Sequence, residues 1–119
     1  MTIEDNLYEK SIKILTDLIA FKTVSGQDNS ELINYCEKIL NDLDIETFKV
    51  FDDDKIRVNL FGTLKAKKTN GKKPIILSGH TDVVPVSKGW SSDPFTATIK
   101  DNKLFGRGSC DMKGFIACT

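Results

Sequence analysis

The chain has 119 residues, the length of one ordinary domain, and sets 17 basic against 17 acidic side chains with neither sign dominating a long segment. That balance excludes the basic face that a nucleic-acid or membrane-surface binder needs, so neither is expected as a partner. No apolar run approaches the ~18 residues of a membrane span, and the polar start "MTIEDNLYEK" lacks the apolar core of a signal peptide. The expected location is therefore cytoplasmic. Cys36, Cys110 and Cys118 have no framework spacing and read as reduced thiols packed in the core.

Residues 6–20 carry Leu7, Ile12, Leu15, Leu18 and Ile19 near helical spacing, which predicts an amphipathic helix. "TVSGQDNSE" ends it, and Asp28 with Glu31 three positions on has the form of a capping box. A second helix then runs to about Leu43 and buries Leu32, Tyr35, Cys36, Ile39 and Leu40. "IETFKVF" and "IRVNLFGTL" are strand-like and flank "DDDK", which predicts a hairpin with the acids in its turn. "KAKKTNGKK" is a solvated loop with an Asn-Gly turn signal. "PIILSG" is a short apolar run of the kind found in the middle of a sheet. "FTATIKDNKLFG" alternates around Asp101–Asn102 and predicts a second hairpin. "DMKGFIACT" reads as the first turns of an apolar helix that stops without a C-cap, leaving apolar surface to cover. The expectation is an N-terminal piece of something longer.

His80, the only histidine, follows the apolar run, at the carboxyl end where open α/β sheets place ligand sites. In an extended segment residues i and i+2 point to the same side, so Asp82 can hydrogen-bond one nitrogen of the His80 ring. That fixes the tautomer and leaves the other nitrogen as a lone-pair donor, the carboxylate–histidine–metal arrangement. Asp111 lies in "GRGSCDMKG", where Gly106 and Gly108 permit unusual backbone angles before a helix begins, and a carboxylate held there can bridge two divalent cations. The bland alternatives are a structural His–Asp pair and an Asp serving only as a helix N-cap. Cys110 beside Asp111 makes no recognisable zinc spacing with a single histidine. Pattern and spacing alone stop at a candidate metal site on an α/β scaffold.

"SGHTDVVPV", "GWSSDPF" and "LFGRGSCDMKGFIAC", in this order, resemble the M20 family of zinc-dependent amidohydrolases and aminopeptidases. "LIAFKTVSGQDNSELINY" and "RVNLFGTL" extend the resemblance over nearly the whole chain. The fold this implies is α/β: the N-terminal part of a zinc-peptidase-like mixed β-sheet with flanking helices, an incomplete catalytic domain. Residues 1–119 would be the N-terminal portion of that domain, with its remainder and a smaller dimerisation domain absent, and the full-length protein a homodimer. The resemblance implies His80 and Asp111 as metal ligands, with Asp111 bridging a zinc pair, and Asp82 as the catalytic-motif acid beside the histidine. It also implies a cis peptide after Asp111. A Glu-Glu pair bearing the general base, a further acid and a late histidine do not occur within the 119 residues. The implied activity is hydrolysis of the N-acyl amide of a small amino acid by two zinc ions, with cobalt a substitute. Pro85 is followed by "VSKGW" without a Pro-Gly-Asp insertion, which favours N-acetylornithine, and so arginine biosynthesis, over succinyl-diaminopimelate or another M20 substrate. A non-catalytic fragment is the reading from a different class, and the 119-residue chain alone is expected to be inactive.

Overall fold

A computed structural model describes residues 2–119. Helix α1 spans Ile3–Ala20 and α2 Ser30–Asp42, followed by strands β1 (Glu46–Phe51), β2 (Val58–Thr63), β3 (Thr98–Lys100) and β4 (Lys103–Phe105). A wide, broken turn at Ser109–Lys113 leads into a short helix, α3, at Gly114–Cys118. The α/β class expected from the sequence is what the chain adopts. The chain divides into two compact units, one made of the segment up to Gly26 with Gly79–Thr119, the other of Gln27–Ser78.

In the first unit, α1 starts three residues before the apolar periodicity does, because Thr2 and Asp5 close a reciprocal cap. The Asp5 amide donates to Thr2 Oγ1 at 3.1 Å and the Thr2 amide to Asp5 Oδ2 at 2.8 Å. Leu18 and Ile19 at the far end of α1 are fully buried, as is Lys113, with Val83 and Ala117 nearly so. The β3–β4 hairpin turns at Asp101 and Asn102, both left-handed with φ of 51° and 56°, the conformation a two-residue hairpin loop requires.

In the second unit, the capping box expected at Asp28 and Glu31 does not form. Asn29 is the cap residue, and its side chain is spent elsewhere: it accepts from the Val58 amide at 2.8 Å and donates to the Val58 carbonyl at 3.0 Å. Asp28 instead closes a local turn by accepting from the Ser30 amide at 2.7 Å. Helix α2 buries Leu32 and Ile33, with Tyr35, Cys36, Ile39 and Leu40 half-buried. Strands β1 and β2 pair antiparallel as expected, and the cross-strand pair Phe48–Phe61 stacks with ring centroids 4.7 Å apart. Asp52 organises the turn between them, accepting from the Ile56 and Arg57 amides and from the Arg57 guanidinium.

The expected central strand is also missing. "PIILSG" is not the central strand of a mixed sheet: it pairs with nothing among the described residues, and Ile75, Ile76 and Leu77 are 88, 85 and 64 % exposed. A strand exists only through its partners, and the four strands present are consumed in two local antiparallel hairpins. The cysteine expectation is also corrected, since Cys110 and Cys118 are exposed and only Cys36 is partly covered.

Candidate metal site

His80 does not stand at the end of a formed strand, yet its setting is well defined. Three residues later the chain makes a parallel bridge, Val24 against Val83. The Val83 amide donates to the Thr23 carbonyl and the Ser25 amide to the Val83 carbonyl, both at 2.9 Å, while Thr23 Oγ1 donates to the Thr81 carbonyl at 2.7 Å. These bonds fix the stretch 81–83 against the segment that leaves α1, and so fix where the His80 and Asp82 side chains begin.

Asp111 is positioned from the other side. Gly108 is left-handed at φ 80°, and the Lys113 amide reaches back five residues to the Gly108 carbonyl at 2.8 Å, which makes the wide turn. Inside it Asp111 (φ −127°, ψ 95°) leaves helical geometry, and its peptide bond to Met112 is cis, as the resemblance implied. The turn is anchored by Lys113, which is fully buried and donates to the Leu18 and Phe21 carbonyls at 2.8 and 2.7 Å. An ammonium at the carbonyl end of a helix meets acceptors that the helix itself leaves unpaired. Burial nonetheless pushes the Lys113 pKa down, to about 8.

The two segments bring His80 and Asp111 together. His80 Nε2 lies 3.0 Å from Asp111 Oδ1. On the other face of the ring, Nδ1 lies 3.0 Å from the Asp82 carbonyl oxygen and 3.2 Å from Asp82 Oδ1. Both of those groups only accept, as does Asp111 Oδ1, so Nδ1 faces two acceptors and Nε2 one, which favours the proton on Nδ1 when the ring carries a single proton. In the neutral ring, Nε2 then presents a lone pair directly to a carboxylate oxygen. Two lone pairs at 3.0 Å require something positive between them, either a proton or a cation. A cation bound to each at ~2.0–2.2 Å would hold the two atoms roughly 3–3.6 Å apart, so a small outward shift of the exposed Asp111 carboxylate would let the pair share a metal ion. Asp82 lies on the Nδ1 side, away from the Nε2–Asp111 approach. Among the described residues no three His, Cys, Asp or Glu side chains converge, so the chain presents two candidate ligands and no closed shell.

Electrostatics agree with the geometry. Burial acts to lower the pKa of His80, but the Asp82 carbonyl, the hydrogen bond to Asp111 and the charges of both carboxylates outweigh it, and the net shift is upward. The Asp82 carboxyl is held below the usual carboxylate range, first by the Ser25 hydroxyl that donates to it, then by His80. His80, Asp82 and Asp111 line one open concavity together with Ser25, Arg107 and Gly108. Arg107 is tied to its wall, donating from Nη2 to the Pro85 carbonyl at 3.3 Å and lying over the Trp90 ring at 5.3 Å from the centroid.

Three of these contributors were invisible in the sequence pattern. Ser25 sits in a stretch that reads as a helix breaker, and its partner is 57 positions away. Lys113 reads as a polar residue of a helix start, and nothing local announces its burial under α1. The Asp82 main-chain carbonyl, which shares Nδ1 with the side chain, has no sequence signature at all.

Residues 76–119 match the model of "Peptidase family M20/M25/M40", and most of the chain is similar to the N-terminal quarter or so of curated proteins. Acetylornithine deacetylase of Myxococcus xanthus is 39% identical over 107 residues, covering 87% of this chain and 28% of that protein. Succinyl-diaminopimelate desuccinylase of Afipia carboxidovorans is 38% identical over 117 residues, covering 92% of this chain and 28% of that protein. The crystal structure of human carnosine dipeptidase 1 aligns with a TM-score of 0.73 over 95% of this chain and 27% of that one; at 24% identity this is a likeness of fold. The chain spans little more than a quarter of the length of the curated relatives it matches.

Proposed function

We propose that residues 1–119 are the N-terminal portion of the catalytic domain of a zinc-dependent amide hydrolase, in which His80 and Asp111 hold a metal ion and Asp82 orients His80. The observation that carries this reading is the 3.0 Å approach of His80 Nε2 to Asp111 Oδ1 with Nδ1 already committed to Asp82. A divalent cation at that point supplies Lewis acidity, polarising an acyl carbonyl and lowering the pKa of water. The protein's own share is to present an imidazole in one tautomer, to place a carboxylate on the same ion, and to shape the open concavity beside them. Asp82 keeps the Nδ1 proton in place, which raises the basicity of Nε2 toward the ion. The base that accepts the water's proton is not among these three residues, since Asp111 and His80 are spent as ligands and Asp82 faces away.

N-acetylornithine is the substrate we favour, which would set the protein in arginine biosynthesis. The absence of a Pro-Gly-Asp insertion after Pro85 supports it, as does the likeness to acetylornithine deacetylase. Succinyl-diaminopimelate is the alternative, supported by an equal likeness to the desuccinylase. A cytoplasmic homodimer with two zinc ions per site, replaceable by cobalt, completes the proposal. With two ligands and no base, the 119-residue chain by itself is expected to be catalytically inert.

The test is an amide-hydrolysis assay on this chain and on the product of its gene with whatever sequence follows Thr119, offering N-acetylornithine and N-succinyl-diaminopimelate in parallel. Chelator-sensitive turnover of N-acetylornithine by the longer product, restored by zinc, supports the reading. Faster turnover of the succinyl compound would transfer the substrate assignment, and chelator-insensitive turnover would end the metal proposal.

A further inference from the structure

We infer that Ser25 is a positioning residue for His80, acting through Asp82. Ser25 Oγ donates to Asp82 Oδ2 at 2.5 Å, while the other oxygen of the same carboxylate faces His80 Nδ1 at 3.2 Å. The line therefore runs from a hydroxyl, through both oxygens of one carboxylate, across the imidazole, to Asp111.

The need for such a residue follows from exposure. The Asp82 side chain is 52 % exposed, and a carboxylate on a short, solvated stem rotates freely about both of its torsions. A hydrogen bond to one oxygen only, from a donor fixed in place, leaves the second oxygen aimed and available. Ser25 is such a donor because its backbone is clamped: its amide bonds the Val83 carbonyl, and Val83 in turn bonds Thr23. The hydroxyl has one proton to give. A second acceptor, the Val83 carbonyl, lies at 3.4 Å, so the 2.5 Å contact takes it. This makes "TVSG", a segment that ends a helix, also the outermost support of the His80 ring. Ser25 works by fixing the carboxylate that, together with the Asp82 main-chain carbonyl, accepts at Nδ1.

The consequence for metal binding rests on the proposed function, whereas the consequence for the ring does not, and the test separates them. The chain has a single histidine, so long-range 1H–15N correlations of the imidazole in the 15N-labelled, metal-free chain belong to His80 without assignment. At a pH where the ring is neutral, the wild type should favour the tautomer with the proton on Nδ1, which faces two acceptors against one at Nε2. Ser25→Ala should shift the ring toward a mixture of the two tautomers, and Ser25→Thr, which keeps the hydroxyl, should restore the wild-type pattern. Ser25→Cys, a weaker donor, should fall between them and grades the effect if the alanine variant loses its fold.

Zinc affinity, read by chelator competition, should fall about 3–10-fold in Ser25→Ala, less than the ~10–100-fold typical for a direct outer-shell partner. It should return in Ser25→Thr. An unchanged tautomer in Ser25→Ala overturns the inference, as does a mixture that Ser25→Thr fails to correct. If zinc binding does not depend on His80 at all, the metal proposal fails, and the tautomer comparison still decides the role of Ser25.

Discussion

Gly108→Ala is the sharpest packing test of the site. Gly108 sits at φ 80°, and a Cβ added there would lie 2.6 Å from Val83 Cγ1 and 3.3 Å from Lys113 Cδ. Lys113 can give way through its flexible stem. Val83 cannot: it is β-branched, 3 % exposed, and bonded through its amide to Thr23 and through its carbonyl to Ser25. A left-handed non-glycine residue costs about 1–2 kcal/mol, and forcing a methyl into filled space about 1–3 kcal/mol. Alanine's stiffer unfolded chain returns roughly 0.4–1 kcal/mol. The expected net loss is therefore about 1–4.6 kcal/mol, measured by urea unfolding of the full chain. Trp90 is the only tryptophan and lies under Arg107 in the same unit, so its fluorescence reports the relevant transition. Val83→Ala removes the atom that is struck. The double variant should thus lose less than the two single variants together, by about 1–3 kcal/mol, the overpacking share. A Gly108→Ala chain within roughly 0.5 kcal/mol of wild type, or strictly additive variants, would refute the packing argument.

Zinc binding should weaken as pH falls, because metal and proton compete for His80 Nε2 and the folded chain raises the ring's pKa above its ordinary 6.5. In the metal-free chain the sign reverses: the protonated ring's contribution to stability is fully present below about pH 6.5 and lost as pH rises through the raised folded value, which an NMR titration of His80 can follow. Asp82→Asn should cut zinc affinity about 10–100-fold, read by chelator competition; unchanged affinity would remove Asp82 from the site. Cys110 and Cys118 should alkylate readily near neutral pH, whereas Cys36, whose thiol burial pushes up to about 11, should react only as the chain unfolds, as mass spectrometry of iodoacetamide-treated protein would reveal.

What could be read from the sequence was whatever short-range pattern controls. The hairpin at Asp101–Asn102, the acid-stabilised turn at Asp52, the Asn70–Gly71 turn and both long helices follow from local composition and periodicity. The meeting of His80 with Asp111 came from the combined motifs, not from spacing, since 31 positions separate them. The failures are non-local. Asn29 abandons the capping role because Val58 offers it two bonds. The Ile75–Leu77 run is as apolar as a central strand, but no segment of the described chain lies alongside to make it one. Lys113 and Ser25 owe their roles to partners 95 and 57 positions away, a distance over which no period or motif speaks.

The central claim is that His80 and Asp111 hold one metal ion between them. Crystals of the protein grown or soaked with zinc, with diffraction recorded on both sides of the zinc absorption edge, test it directly. The expected result is an anomalous peak bonded to both His80 Nε2 and Asp111 Oδ1, at ~2.0–2.2 Å from each, with Nδ1 still donating to Asp82. A zinc-saturated crystal with its peak elsewhere, or with His80 and Asp111 in direct contact and no peak between them, would contradict it.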